Sequence, residues 1–158
     1  MEQILNIVVG SKRFSLIDGF SRYNQIWVKN ENQFKISFIA KWGTFAFQIM
    51  PFGLSNTGAT FQRAMDHAFG ELVNKILLVY LDDITIFSWD QNYHLQHLEQ
   101  AFIKCKRYGI SLNPKKSIFI VDEGKLLGHV ISKEGWAIDS DRVRAIKDLS
   151  LPSNKKSL

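Results

Sequence analysis

Residues 75–87, Lys-Ile-Leu-Leu-Val-Tyr-Leu-Asp-Asp-Ile-Thr-Ile-Phe, constrain the fold more than any other stretch. Two apolar runs, rich in Ile, Leu, Val and Phe, meet at Asp82 and Asp83. Short β-prone runs separated by a tight break predict a hairpin. Adjacent carboxylates repel one another and resist burial. A bound divalent cation reverses that penalty, because the ion becomes the largest local charge. Taken alone, an Asp-Asp pair is more simply a solvated turn tip. A metal-binding role needs a third carboxylate on a strand beside the hairpin.

The remaining composition narrows the class. A chain of 158 residues suits one domain with a real core. Hydrophobic residues at 46% and charged residues at 22% describe a globular chain, not a disordered one. The single cysteine, Cys105, excludes an internal disulfide and lies on an apolar helical stripe. A net charge of +5 is compatible with a polyanion partner without requiring one. No apolar run reaches the ~20 residues of a membrane span. Residues 1–10 show no signal-peptide pattern.

In chain order, residues 14–17 read as a buried strand ending at Asp18, followed by a compact turn from Gly19 to Tyr23. Strands are predicted over 25–29, 34–39 and 44–49, and Met50-Pro51-Phe52-Gly53 breaks the pattern. Ser55, Asn56 and Thr57 offer capping oxygens to a helix with Phe61, Ala64, Met65, Ala68 and Leu72 on one face. After the hairpin, Leu95, Leu98, Phe102 and Cys105 predict a second helix closed by Gly109, with His94 and His97 on its solvated side. Extended segments follow over 117–121 and 126–132, with turns near Glu123-Gly124 and Glu134-Gly135. Asp139 or Ser140 caps a last helix with Val143, Ile146 and Leu149 on one face.

Without the extra strands the order is strand, helix, strand, strand, helix, strand. That is an α+β split βαβ, or ferredoxin-like, arrangement: an antiparallel sheet with helices on one face. In it the end of the first strand lies beside the central hairpin, so Asp18 is expected to meet Asp82 and Asp83. Three convergent carboxylates suit two magnesium ions, which prefer oxygen ligands.

These residues bring a family into view. Tyr80-Leu81-Asp82-Asp83 resembles the YxDD box of reverse transcriptases. Residues 14–26, 50–65, 109–116 and 126–132 resemble four other boxes of that family, in the same order. The wording is most similar to gypsy-type long-terminal-repeat retrotransposons. One YxDD is weak; the ordered set is specific. The resemblance implies a polymerase palm with a few fingers strands. It divides the chain into the first catalytic strand and fingers (about 12–50), the palm core (51–121), and a primer-grip hairpin leading toward a thumb (122–158). It also implies fingers residues before the first strand and thumb, connection and RNase H parts after Leu158.

The same resemblance assigns roles. Asp18 and Asp82 are the principal metal ligands, with Asp83 and the Gly19 carbonyl in support. Two Mg2+ ions serve, with Mn2+ as an alternative. Gly19, Phe20, Ser21 and Arg22 approach the triphosphate. Tyr23 is the ring that excludes a ribose 2′-hydroxyl. Phe52 and Gly53 flank the nascent base pair, Gly53 by permitting close backbone approach. Gln62 and Arg63 contact template or brace the pocket. Lys115 or Lys116 donates a proton to pyrophosphate. Leu127, Gly128 and His129 grip the primer, His129 as a backbone or phosphate neighbour rather than a metal ligand. Simple packing for Tyr23 and solvent exposure for Arg63 and the lysines remain open. Arg22 departs from the family, which places Gly there.

The implied activity is RNA-directed DNA synthesis on a primed RNA or DNA template, using deoxynucleoside triphosphates. The setting is a retrotransposon polyprotein in a cytoplasmic particle or the nucleus, without a membrane partner. The alternatives are an inactive remnant that keeps the fold and a nucleic-acid-binding module without chemistry. Tyr23 and the 50–53 box speak against a palm-type RNA polymerase or a nucleotide cyclase.

Overall fold

The computed structural model describes residues 2–20, 22–80 and 83–148. The central sheet is built from β1 (Arg13–Gly19), β4 (Leu77–Tyr80), β5 (Asp83–Ser88) and β6 (Leu112–Val121), in the spatial order β4-β5-β1-β6. All of its pairs are antiparallel. This is the strand order of the expected split βαβ palm. Two helices, α3 (Thr57–Phe69) and α4 (His94–Tyr108), supply the crossovers. No helix among the described residues is long and apolar enough to cross a membrane.

Strand periodicity decides what each face of the sheet does. Ile17, Leu77, Ile84 and Ile86 pack against Phe61, Met65, Phe69, Leu98 and Cys105 of the two helices. The alternate residues Phe14, Leu78 and Phe87 face the other way, into a second cluster with Leu126 and Ile131. Leu5 and Val8 of an N-terminal helix, α1 (Glu2–Val8), complete that cluster. Each fully buried Phe, Leu or Ile contributes about 1.5–3 kcal/mol. Asp18 shares the parity of Phe14, and Asp83 that of Phe87, so both acids point away from α3 and α4.

The helices follow their apolar spacing. On α3, Phe61, Met65, Ala68 and Phe69 are buried. Asn56 sits at its N-cap without a side-chain capping bond; the Thr57 hydroxyl instead donates to the Pro51 carbonyl at 3.4 Å. On α4 the predicted stripe is rotated. Leu95 is 67% exposed, and the buried face is His94, Leu98, Ala101 and Cys105. Gly109 caps α4 in the left-handed region, at φ 68°, its N–H donating to the Cys105 carbonyl. Gly109→Ala is therefore expected to cost about 1 kcal/mol, read as a lower urea midpoint. An unchanged midpoint would show that the cap carries no strain.

The fingers segment departs from the sequence expectation. The predicted strand at 25–29 is replaced by a 3-10 helix, Arg22–Gln25, and a lone bridge between Trp27 and Ile49. The predicted 34–39 strand begins late. A short helix, α2 (Asn30–Gln33), and a 3-10 turn, Phe34–Ile36, precede β2 (Ser37–Ala40). Among the described residues β2 pairs with β3 (Gly43–Ala46) alone, as a separate hairpin. Phe34, Phe38, Ile39, Trp42 and Phe45 are exposed there, so apolar content in this segment did not mean burial.

The last third is a second sheet, β7 (Glu123–Leu126), β8 (His129–Ser132) and β9 (Gly135–Ile138), in that order. The expected turn at Glu123-Gly124 lies within β7, and the chain reverses instead at Leu127-Gly128. Both turn residues are left-handed, at φ 53° and 78°. Hairpin turns of this kind favour Asn-Gly, and a leucine in the first position hid the signal. Asp139 caps α5 (Ser140–Lys147) as expected, accepting the Asp141 N–H at 3.1 Å. The apolar face expected on α5 is not buried: Ile146 is exposed, and Leu149 lies outside the described residues.

Candidate active site

Asp18 is the last residue but one of β1 and Asp83 begins β5, and the register sets them directly opposite one another. Side chains in such a pair share one face, with Cβ atoms about 4.5–5.5 Å apart. The acid closing the first strand and the second hairpin aspartate therefore meet, although the sequence separates them widely. They line a cleft of about 140 Å³ with Leu16, Thr85, Lys116 and Lys125. Asp82 lies outside the described residues. Among the described residues no group of three metal-binding side chains is complete.

Asp18 is held from β6. Its N–H donates to the Ser117 hydroxyl at 3.2 Å, and that hydroxyl donates to the Asn113 carbonyl at 2.7 Å. The Asn113 amide donates to Asp18 Oδ2 at 3.4 Å. On the cleft wall, the buried Thr85 hydroxyl has no hydrogen-bond partner among the described residues. The donor set is thus hard oxygen, two carboxylates beside an unspent hydroxyl, which fits magnesium chemistry.

The turn after Asp18 is fastened to the start of β6 through Gln25. Gln25 Oε1 accepts the Ser111 N–H at 2.6 Å, and its amide nitrogen donates to the Ser111 carbonyl at 3.2 Å and to the Phe20 carbonyl. The Phe20 N–H reaches the same Ser111 carbonyl at 2.9 Å. Ser21 lies outside the described residues, and Arg22 opens the 3-10 helix. Tyr23 is wedged edge-on between Phe52 and Phe61, each ring centroid 5.3 Å away. Phe52 is 58% exposed beside it. Gly53 is left-handed at φ 91° with open space around it, so its own backbone conformation, not a close neighbour in the chain, requires glycine.

The other expected residues separate into distinct places. Gln62 donates to the Val79 carbonyl at 3.3 Å and to Asp66 at 3.0 Å, which ties α3 to β4. Arg63 is exposed and bonds Thr60 within its own helix at 3.3 Å. Of the two lysines, Lys116 lines the acid cleft; Lys115 is exposed, and its N–H donates to Asn113 Oδ1 at 3.2 Å. His129 Nδ1 donates to the Leu127 carbonyl at 3.2 Å, and the ring stands edge-on to Trp136.

Sequence reasoning gave no role to Gln25, Asn113, Ser117 or Lys125. The first three were visible only as polar residues inside apolar boxes, a pattern that marks a backbone needing a side-chain partner. His94 is a correction. Expected in solvent, it is 1% exposed, with Nε2 2.8 Å from the Ser15 hydroxyl and Nδ1 2.8 Å from that of Ser88. Burial is affordable because both ring nitrogens are occupied.

With that geometry in place, the profile described as reverse transcriptase (RNA-dependent DNA polymerase) matches residues 2–131. The chain belongs to the reverse transcriptase family. It is 35% identical over 158 residues to the retrovirus-related Pol polyprotein of transposon 297 from Drosophila melanogaster. That alignment spans all of this chain and 15% of the relative. It is 34% identical over 143 residues to the corresponding polyprotein of transposon gypsy from the same fly, covering 90% of this chain and 14% of the relative. This reverse transcriptase domain thus spans about a seventh of the curated relatives it matches. In fold it is similar to a foamy viral protease–reverse transcriptase solved with an RNA/DNA hybrid. The TM-score is 0.85 at 24% identity, over 98% of this chain and 21% of that one.

Proposed function

We propose that this domain carries out templated addition of deoxynucleotides to a primer 3′ end, on RNA or DNA template, within a retrotransposon polyprotein. The observation that carries this reading is the opposed pair Asp18 and Asp83 on the sheet face turned away from α3 and α4 of a reverse-transcriptase palm. The foamy viral relative bound to an RNA/DNA hybrid supports the choice of nucleic acid.

Asp18 and Asp83, with Asp82 and the Gly19 carbonyl, are the groups to hold two magnesium ions. When bound, those ions supply Lewis-acid activation of the primer hydroxyl and charge neutralisation at the triphosphate. The chain's own residues do the positioning. Ser117 and Asn113 fix the Asp18 backbone and carboxylate. Gln25 fixes the turn beneath the triphosphate. That Lys116 lines the cleft supports it, rather than Lys115, as the proton donor to departing pyrophosphate. The test is magnesium-dependent extension of a primed template by the purified chain, alone and joined to fingers and thumb segments. No extension in either form would overturn the reading.

Tyr23 supplies the sugar discrimination. Its ring is fixed by Phe52 and Phe61, so a ribose 2′-hydroxyl meets an aromatic that cannot step aside. Tyr23→Ala is expected to raise ribonucleotide relative to deoxynucleotide incorporation by about tenfold. Tyr23→Phe keeps the ring and should keep the discrimination. Equal ratios in all three proteins would reduce Tyr23 to a packing residue.

A further inference from the structure

Helix α5 leans on the Leu127–Gly128 turn at several points. The Asp139 N–H donates to the Gly128 carbonyl at 3.2 Å. Arg142 Nη1 donates to the Leu127 carbonyl at 3.4 Å. Gly128 is left-handed at φ 78°, which favours glycine, and the Arg142 guanidinium lies where a Cβ on Gly128 would project. Lys125, at the end of the preceding strand, meets Asp139 at 2.9 Å and Asp141 at 2.7 Å. Turn, strand and helix start are thereby closed into one set of contacts.

That set leaves Arg142 in an unusual condition. Its side chain is exposed, yet it is anchored at one end by a backbone carbonyl. A guanidinium carries five N–H donors in a rigid fork, and the Leu127 carbonyl uses one. Asp139 and Asp141, at the start of the same helix, are both engaged by Lys125. An anchored, exposed guanidinium with unspent coplanar donors suits a bidentate phosphate contact. Leucine and glycine in the turn offer no cationic side chain of their own.

We propose that Arg142 binds a backbone phosphate of the primer strand beside the Leu127–Gly128 turn, with α5 setting its position. This rests on the reading of the chain as a holder of primed template, and it adds a residue beyond the boxes that carry that reading. Arg142 is a binding residue here, and Asp139 and Lys125 are positioning residues behind it.

The test is binding of the whole chain to a labelled DNA duplex with a recessed 3′ end, followed by anisotropy across a salt series. Arg142→Ala should weaken binding and lower the slope of log affinity against log salt by about 0.9, the share of one phosphate contact. Lys147→Ala removes the same charge from the same helix away from the turn and should leave the slope nearly unchanged. Arg142→Lys should restore most of the slope but not all of the affinity, because a point charge replaces a fork. Should Arg142→Ala melt early, Arg142→Gln, which keeps a donor for the Leu127 carbonyl, carries the same comparison. A slope unchanged in the Arg142 variants, or lowered equally by Lys147→Ala, overturns the assignment and leaves the polymerase reading standing. No duplex binding by the unaltered chain overturns the assignment, and the polymerase reading falls with it only where the chain joined to fingers and thumb segments also fails to extend a primer.

Discussion

Asp18→Asn is expected to reduce magnesium-dependent primer extension by about a thousandfold or more, because loss of a ligating carboxylate removes several kcal/mol of transition-state stabilisation. The same change should leave the fold as stable as before or slightly more so. Asp18 and Asp83 are directly opposed in the sheet, and like charges in such a pair destabilise it. Asparagine keeps the size of the side chain and an oxygen for the Asn113 amide now 3.4 Å from Oδ2. Activity and stability should therefore move apart, which is the mark of a residue kept for chemistry. The measurements are single-turnover extension and a urea midpoint on the same preparations. An undiminished rate would remove Asp18 from the site. A rate lost together with the midpoint would make the effect structural.

How far the sequence revealed this arrangement depended on the kind of signal. The palm was legible because its strands are short apolar runs and its helices carry three-to-four spacing, so local pattern and burial agree. The meeting of Asp18 with Asp83 followed from topology alone, since a split βαβ order puts the first strand beside the hairpin. What failed had a different cause in each place. His94 was read as solvated because histidine is polar. Its burial depends on Ser15 and Ser88, which no local pattern pairs with it. The turn at Leu127-Gly128 was misplaced because leucine rarely takes a positive φ. The fingers segment was read as three strands over 25–29, 34–39 and 44–49, yet the strands that form are Ser37–Ala40 and Gly43–Ala46, paired with each other, and their aromatics are exposed. Gln25 and Asn113 act through bonds to distant backbone and carboxylate, which composition cannot show.

Acid should loosen this fold through His94. Ser15 also accepts the Ile120 N–H at 3.0 Å, and Ser88 lies 2.7 Å from His97 Nδ1, so both hydroxyls that face the His94 ring have a further partner. A neutral ring meets the two hydroxyls with one nitrogen donating and the other accepting. Burial, reinforced by the neighbouring His97 and Arg13 charges, pushes the His94 pKa from 6.5 down to about 4. The unfolded chain therefore binds a proton that the folded chain refuses between those values. Stability is full above 6.5 and falls as pH drops through that window, by roughly 3 kcal/mol in all. Urea unfolding at about pH 7, 5.5 and 4.5 measures it. His94→Phe should flatten this dependence while costing a few kcal/mol near neutrality, because the Ser15 and Ser88 hydroxyls lose a partner. The consequence reaches the cleft, since Ser15 and Ser88 stand on β1 and β5, the strands that carry Asp18 and Asp83. A variant that retained the parent's acid profile would assign the sensitivity to another group and leave His94 a packing residue.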